Sequence, residues 1–340
     1  MSTPSGALPE PEFPIRMLAL DIDGTLVGPD VRLSERITSV IGEAVRRGVK
    51  VSLATGRMPS SAAVFAAQLG LVDPVIGHQG AAIRAMPDGP AVPSVPAAPI
   101  DGSRPAFGGK VGRLLLHRPL RPEVVRDALA WCVANGLDPH VNNLERILAH
   151  VDDPHFADYS AYLGKAAELV PDLAAAVRGP MSKVISVGVP PRPMELIEEA
   201  RRVFEGRAWA TVSHPRFLEF TAPGVSKGRA VAWVARRAGI PLGQVLTMGD
   251  ALNDLEMIVT VGHGTAMATA PDELRLRARY IAPPVGRDGA ATLIEALVLA
   301  PPAEARRNAA RLEEESRAIR SSIGEPSADR ASIDDTGANA

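Results

Sequence analysis

Cysteine is almost missing from this 340-residue chain: Cys132 stands alone, so no internal disulfide can form and a reducing, cytoplasmic setting is expected. It falls in WCVANG, inside an amphipathic stretch, where a packed thiol is expected rather than a nucleophile. Lysine is scarce too. Of 37 basic residues only Lys50, Lys110, Lys165, Lys183 and Lys227 are lysines, so a lysine in a motif carries extra weight. The formal charge of -2 leaves no cationic footprint for nucleic acid or an anionic membrane, and neither is expected as a partner. The opening MSTPSGALPEPEFP has no apolar run able to act as a signal peptide or membrane span. What remains is ordinary for a globular chain: 46% hydrophobic and 22% charged residues, enough for one large domain or two of usual size.

IRMLALD, an apolar run ending in an acid, predicts a buried strand over about Arg16 to Leu20. A helix follows from the N-cap Ser34 to Gly48, then the strand VKVSLATG, a helix closed by Gly70, and a third short strand and turn in PVIGHQGAAI. Alternating strands and helices predict an α/β fold, with a Rossmann-like, doubly wound parallel sheet. Residues 86–112, rich in Pro, Gly and Ala, break the pattern as a loop or hinge. Beyond it, RLLLHRPL, PEVVRDALAWCVANG and ERILAHV form one strand–helix–strand unit. SKVISVGV, PMELIEEARRVFEG, AWATVSH and RFLEFTA form a second. The first pattern resumes after Pro223. The expected organisation is therefore a discontinuous core (13–84 and 221–300) with a smaller inserted α/β domain (85–220), a disordered N-terminus (1–12) and a polar tail (301–340), partly helical and then disordered.

Four clusters fall where an open parallel sheet places its site, at the carboxyl ends of strands. Asp21 and Asp23 follow the first strand on a turn that Gly24 permits, Thr55 and Gly56 follow the second, Asp250 ends QVLTMGD, and Lys227 opens a helix. Singly, each has a plain structural reading: a solvated loop acid, a helix cap, a first-turn lysine, a turn dipeptide. Together they suit phosphoryl transfer. Asp21 would attack phosphorus as a carboxylate nucleophile, and Asp23 would serve as general acid and then base. A carboxylate approaches an anionic phosphate only with charge compensation. Asp21 and Asp250, with Asn253 and Asp254 in the next turn, offer hard oxygen donors suited to Mg²⁺ rather than Zn²⁺. Thr55, Gly56 and Lys227 would hold phosphate oxygens. His140, His150 and His155 near Asp152, Asp153 and Asp158 fit no compact zinc spacing and are read as loop polarity or substrate contacts.

DIDGT, LATGR, VSKG and GDALND, in that order, resemble the four motifs of the haloacid dehalogenase-like (HAD-like) phosphatases. The insert between the second and third motifs resembles that of the Cof-type branch, whose type IIB cap is an α/β domain. So does the segment from HGTAM to LIEAL, and the likeness covers about residues 15 to 297. The resemblance implies Asp21 as nucleophile and Asp23 as acid/base. It implies Mg²⁺ held by Asp21, the carbonyl of Asp23 and Asp250, with Asp254 orienting that shell. It further implies phosphate contacts from Ile22, Thr55, Gly56, Lys227 and Asn253. GHQGA, where the branch often has Asn-Gly, and the long Pro-rich stretch 87–105 depart from the pattern. The expected partner is a small phosphorylated metabolite. A phosphomutase using the same chemistry and a catalytically silent ligand-binding relative are the alternatives, and no motif identifies the substrate or the oligomeric state.

Overall fold

The computed structural model describes residues 9–87, 109–155 and 167–324. Its core is a five-stranded sheet in which every pair is parallel, ordered β14-β13-β12-β1-β2. The strands are β1 (Met17–Leu20), β2 (Lys50–Leu53), β12 (Val245–Gly249), β13 (His263–Met267) and β14 (Tyr280–Ala282). β1 lies inside the sheet, between β2 and β12, and all four of its residues are buried, as a continuous apolar run requires. The helix Glu35–Arg46 begins where Ser34 Oγ accepts from Ile37 N (3.1 Å) and buries Ile37, Val40, Ile41 and Ala44, one stripe at helical spacing.

The turn predicted in PVIGHQGAAI is a hairpin rather than one strand. β3 (Val75–Gly77) and β4 (Ala82–Arg84) pair antiparallel, and β5 (Leu114–His117) joins them as a third strand. β5 therefore does not open the inserted unit by pairing within it; its hydrogen bonds go to β4. A six-stranded sheet follows, ordered β10-β11-β9-β6-β7-β8 and antiparallel except for the β7–β8 pair. It comprises β6 (Asp138–Asn143), β7 (Arg146–His150), β8 (Glu168–Val170), β9 (Lys183–Val187), β10 (Trp209–His214) and β11 (Phe217–Thr221). The helices Pro122–Ala134 and Arg192–Val203 cover one face, and Val124, Leu129, Leu196, Phe204, Leu218 and Phe220 form a core there. Cys132 is buried in that core, and burial pushes its thiol up to about 12, which a hydrogen bond with Ser186 only partly offsets. The thiol is packed and protonated. On the sheet's other face Ile147, Ile185, Val187 and Phe217 gather around Met58, which follows β2.

The tail begins with a helix, Pro302–Gly324. Ser316 Oγ accepts from Ile281 N of the edge strand β14 (2.8 Å), and Arg279 pairs with Glu313 (3.2 Å), so the helix covers an edge that would otherwise offer open backbone. Residues 9–12, expected to be disordered, are held in place. Glu12 N donates to Gly243 O (2.8 Å), and Glu12 O lies 3.0 Å from His263 Nε2. The disorder expected for residues 1–8 and 325–340, and most of the 87–105 stretch, lie outside the described residues. Among the described residues no helix is long and apolar enough to cross a membrane.

Candidate active site

Asp21 begins the loop after β1, and its backbone N–H still donates to β12, at Met248 O (3.1 Å). The loop then tightens, with Ile22 O accepting from Leu26 N (2.9 Å) and Val27 N (3.0 Å). Gly24 has φ +75°, and a Cβ on it would stand 2.1 Å from Asp250 Oδ2. Glycine is required twice over, for the left-handed backbone and for the close approach of this loop to Asp250.

Lys227, the first residue of the helix Lys227–Arg237, sends its buried ammonium to Asp21 Oδ1 (2.8 Å) and Asp254 Oδ1 (2.7 Å). The other oxygen of Asp254 accepts from Asp250 N (3.0 Å) and Ala251 N (3.1 Å). Asp254 is thus occupied in holding the Asp250 loop and Lys227. Carboxylate oxygens of Asp21, Asp250 and Asp254 lie within 4.8 Å of one another. Three acids face one ammonium. Burial, the largest cause, pushes Asp21 well above the usual carboxylate range against the pull of Lys227, and Asp254 and Asp250 add to the rise. Burial and then Asp254 push Asp250 up to about 7. For Lys227 burial works downward, but Asp21 and Asp254 outweigh it and hold the ammonium above the usual lysine range.

The donor chemistry fits a small hard cation. Crowded carboxylates left with an excess of negative charge, beside a loop whose glycine brings the main chain against Asp250, form an oxygen-lined niche with neither thiolate nor imidazole. It is the one such group of three or more acidic, His or Cys side chains among the described residues. The histidines of the six-stranded sheet pair off separately: His140 with Asp153, both buried, His155 with Asp138 at 3.6 Å, and His150 with Asp152 at 3.9 Å. Asp158 lies outside the described residues.

Four further residues reach the site without having been marked in the sequence. Arg57 grips Asp23 with two hydrogen bonds (2.6 and 2.8 Å) and stacks over Phe65, while its backbone N–H donates to Thr55 Oγ1 (3.1 Å). Gln79, at φ +59° in the HQG turn, accepts from Asn253 Nδ2 (2.9 Å) and donates to Glu219 Oε1 (2.9 Å). Because Glu219 only accepts when ionised, the Gln79 amide is oriented, and so is that of Asn253, whose buried Oδ1 has no hydrogen-bond partner. Glu219 pairs with Lys183 (2.6 Å) and takes a further hydrogen bond from Ser213 Oγ; Lys183 also donates to Gly56 O (3.0 Å). Gln79, Lys183 and Glu219 are all less than 5% exposed, so this chain of contacts crosses from the Gly56 and Asn253 loops to the six-stranded sheet out of water. The only hint in the sequence was the scarcity of lysine, which singles out Lys183.

A family model described as haloacid dehalogenase-like hydrolase matches residues 18–93 and 108–294. The chain belongs to that family. Among its HAD-like relatives, an HMP-PP phosphatase of Serratia proteamaculans is 29% identical over 260 residues, covering 76% of this chain and 86% of the relative. A 5-amino-6-(5-phospho-D-ribitylamino)uracil phosphatase of Bacillus subtilis is 24% identical over 290 residues, covering 82% and 96%. A solved HAD-like hydrolase from Bacteroides thetaiotaomicron superposes with TM-score 0.67 at 22% identity, covering 83% of this chain and 99% of that one, which speaks to the fold. This member of the HAD-like hydrolases is an enzyme of the phosphatase class.

Proposed function

We propose that the chain is a Mg²⁺-dependent phosphatase that hydrolyses small phosphomonoesters through an aspartyl-phosphate on Asp21. The observation that carries this is the convergence of Asp21, Asp250, Asp254 and Lys227, separated by up to 233 positions in sequence, within one buried cluster. When bound, Mg²⁺ would neutralise the excess carboxylate charge and draw electron density from the phosphoryl oxygens. Asp21 and Asp250 would hold it with the carbonyl of Asp23. Asp254, saturated by Lys227 and two backbone N–H groups, fits an orienting role.

Lys227 fixes one oxygen of Asp21, leaving the other to attack phosphorus. As the bond from Asp21 to phosphorus forms, that to the leaving oxygen breaks, and Asp23 supplies the proton to this oxygen. Asp23 then takes a proton from water. The water oxygen bonds phosphorus, and the bond to Asp21 breaks, returning the carboxylate and releasing phosphate. Thr55, Gly56 and the backbone of Ile22 stand at the strand ends where phosphate oxygens would lie, and the oriented Asn253 borders them. The domain limits 13–84 with 221–300 for the core and 85–220 for the cap belong to the same reading, except that β5, paired to β4, goes with the core. The six-stranded sheet, with Lys183 and Glu219 facing the site, would cover the leaving group and exclude water. Substrates like those named for the relatives, HMP-PP and 5-amino-6-(5-phospho-D-ribitylamino)uracil, belong to the class proposed. A single cysteine supports a reducing cytoplasm as its setting.

The test is phosphate release from p-nitrophenyl phosphate. Asp21→Asn should abolish it while circular dichroism stays unchanged, and EDTA should stop the parent enzyme with Mg²⁺ restoring it. Undiminished turnover by Asp21→Asn would remove the nucleophile assignment.

A further inference from the structure

A second concavity, of about 280 Å³, lies along the helix Lys227–Arg237, and none of Asp21, Asp23, Asp250 or Lys227 lines it. Its wall carries three guanidinium groups, Arg118, Arg229 and Arg236, and no carboxylate. Arg229 is compensated from outside, by Glu256 at 3.2 Å. Arg118 and Arg236 make no ion pair with any described residue. The wall also carries apolar side chains, among them Leu116, Val225 and the half-buried Trp233, whose ring also lies under Arg237, with 5.6 Å from Cζ to the ring centroid.

Arg118, Arg229 and Arg236 are exposed, so water screens their mutual repulsion, but three arginines lining one hollow that no acid lines concentrate positive charge where an anion would meet it. Each presents a planar fork of donors that matches the oxygens of a phosphate or carboxylate. The volume is just below the about 300–1,000 Å³ of pockets for drug-sized ligands, so the occupant is smaller than those, and the indole and Leu116 give its carbon skeleton an apolar wall. We propose that this groove is an accessory binding site for a small organic dianion, a phosphate or phosphonate head carried on a ring or short apolar skeleton. It lies behind the reaction centre. Gly80 and Ser226, which line it, immediately follow Gln79 and precede Lys227, so the ligand would rest against the backbone that places both side chains.

The probe is phenylphosphonate, which cannot be hydrolysed, titrated into the full chain by calorimetry in EDTA, where the excess negative charge of the Asp21 cluster disfavours a dianion. Saturable one-site binding is expected, weakened about tenfold for each guanidinium removed in Arg118→Ala and Arg236→Ala. It should be accompanied by a change in tryptophan emission that is absent from Trp233→Phe. The absence of saturable heat, or equal affinity in the parent and the Arg118→Ala/Arg236→Ala double variant, would overturn the site. The double variant should release phosphate from p-nitrophenyl phosphate at the parental rate, so failure of the groove and failure of the proposed hydrolysis are read separately.

Discussion

Raising the pH of the metal-free protein from 5 to 8 should remove about 3 kcal/mol of folding stability through Asp250 alone. Its carboxyl titrates near 7 in the folded chain, against the ordinary 3.8, because burial and then Asp254 oppose its charge. A folded-state value above the unfolded one means that the folded form keeps a proton the unfolded form has shed. The contribution is therefore full below about pH 4 and is lost as pH climbs toward 7, at about 1.4 kcal/mol per pH unit. His263 works in the opposite direction. Buried against Tyr280 and the Glu12 carbonyl, it is lowered to about 4 from 6.5, so its stability is present above 6.5 and is lost as pH falls toward 4. The two trends oppose each other between pH 4 and 6.5, and the parent's own profile is a poor reporter. The informative quantity is the difference between the parent and Asp250→Asn, by urea denaturation in EDTA. Asp250→Asn should gain on the parent by about 3 kcal/mol between pH 5 and 8. Adding Mg²⁺ at pH 8 should stabilise the parent and leave Asp250→Asn nearly unmoved. Parallel pH profiles for the two proteins would refute the charge accounting on which the cation site rests.

Three other outcomes follow from the same contacts. Arg57→Ala frees Asp23 from its two-pronged partner, so hydrolysis of an alkyl phosphate, whose leaving oxygen needs a proton, should slow about tenfold or more. That of p-nitrophenyl phosphate should change much less, and steady-state kinetics on the two substrates compares them. Glu219→Gln leaves the Lys183 ammonium buried beside a neutral amide and should cost about 3–5 kcal/mol in urea denaturation, part of it recovered by adding Lys183→Met. In the Arg118→Ala/Arg236→Ala double variant, whose groove is silent, inorganic phosphate should show calorimetric binding only after Mg²⁺ is added, and equal binding in EDTA would contradict the charge excess at Asp21.

Much of the parallel core could be read directly because local pattern and tertiary role agree. MLAL is apolar throughout and interior to the sheet, Ser34 caps the helix that its neighbours predict, and Asp21 and Asp250 end strands that are adjacent in the sheet. β6 was missed because DPHVNN has a proline and little apolar alternation; its His140 and Asn142 are buried only by the fold around them. β5 was assigned to the wrong sheet because RLLLH carries no mark of its partner, and β4 lies 30 residues upstream. Arg57 was hidden by abundance, one arginine among 32. Gln79 and Glu219 were hidden by distance. Their hydrogen bond spans 140 positions, and neither residue type in its own segment suggests a buried polar contact.

The arrangement of charge explains why these distant residues belong together. On the side of the six-stranded sheet, Lys183 answers Glu219, and at the loop Arg57 answers Asp23, so the walls of the cleft are internally neutral. The floor is not. Asp21, Asp250 and Asp254 share the single ammonium of Lys227; Asp21 and Asp250 are raised out of the carboxylate range, and Asp254 accepts from two backbone N–H groups and Lys227. A site built only for stability would have matched the third acid with a second cation, since an uncompensated buried charge is among the most destabilising features a core can carry. An excess of negative charge left at the ends of β1 and β12 suits the proposed reading, in which a divalent ion is needed for the state in which Asp21 is ionised. In that reading it is also the state in which Asp21 would attack.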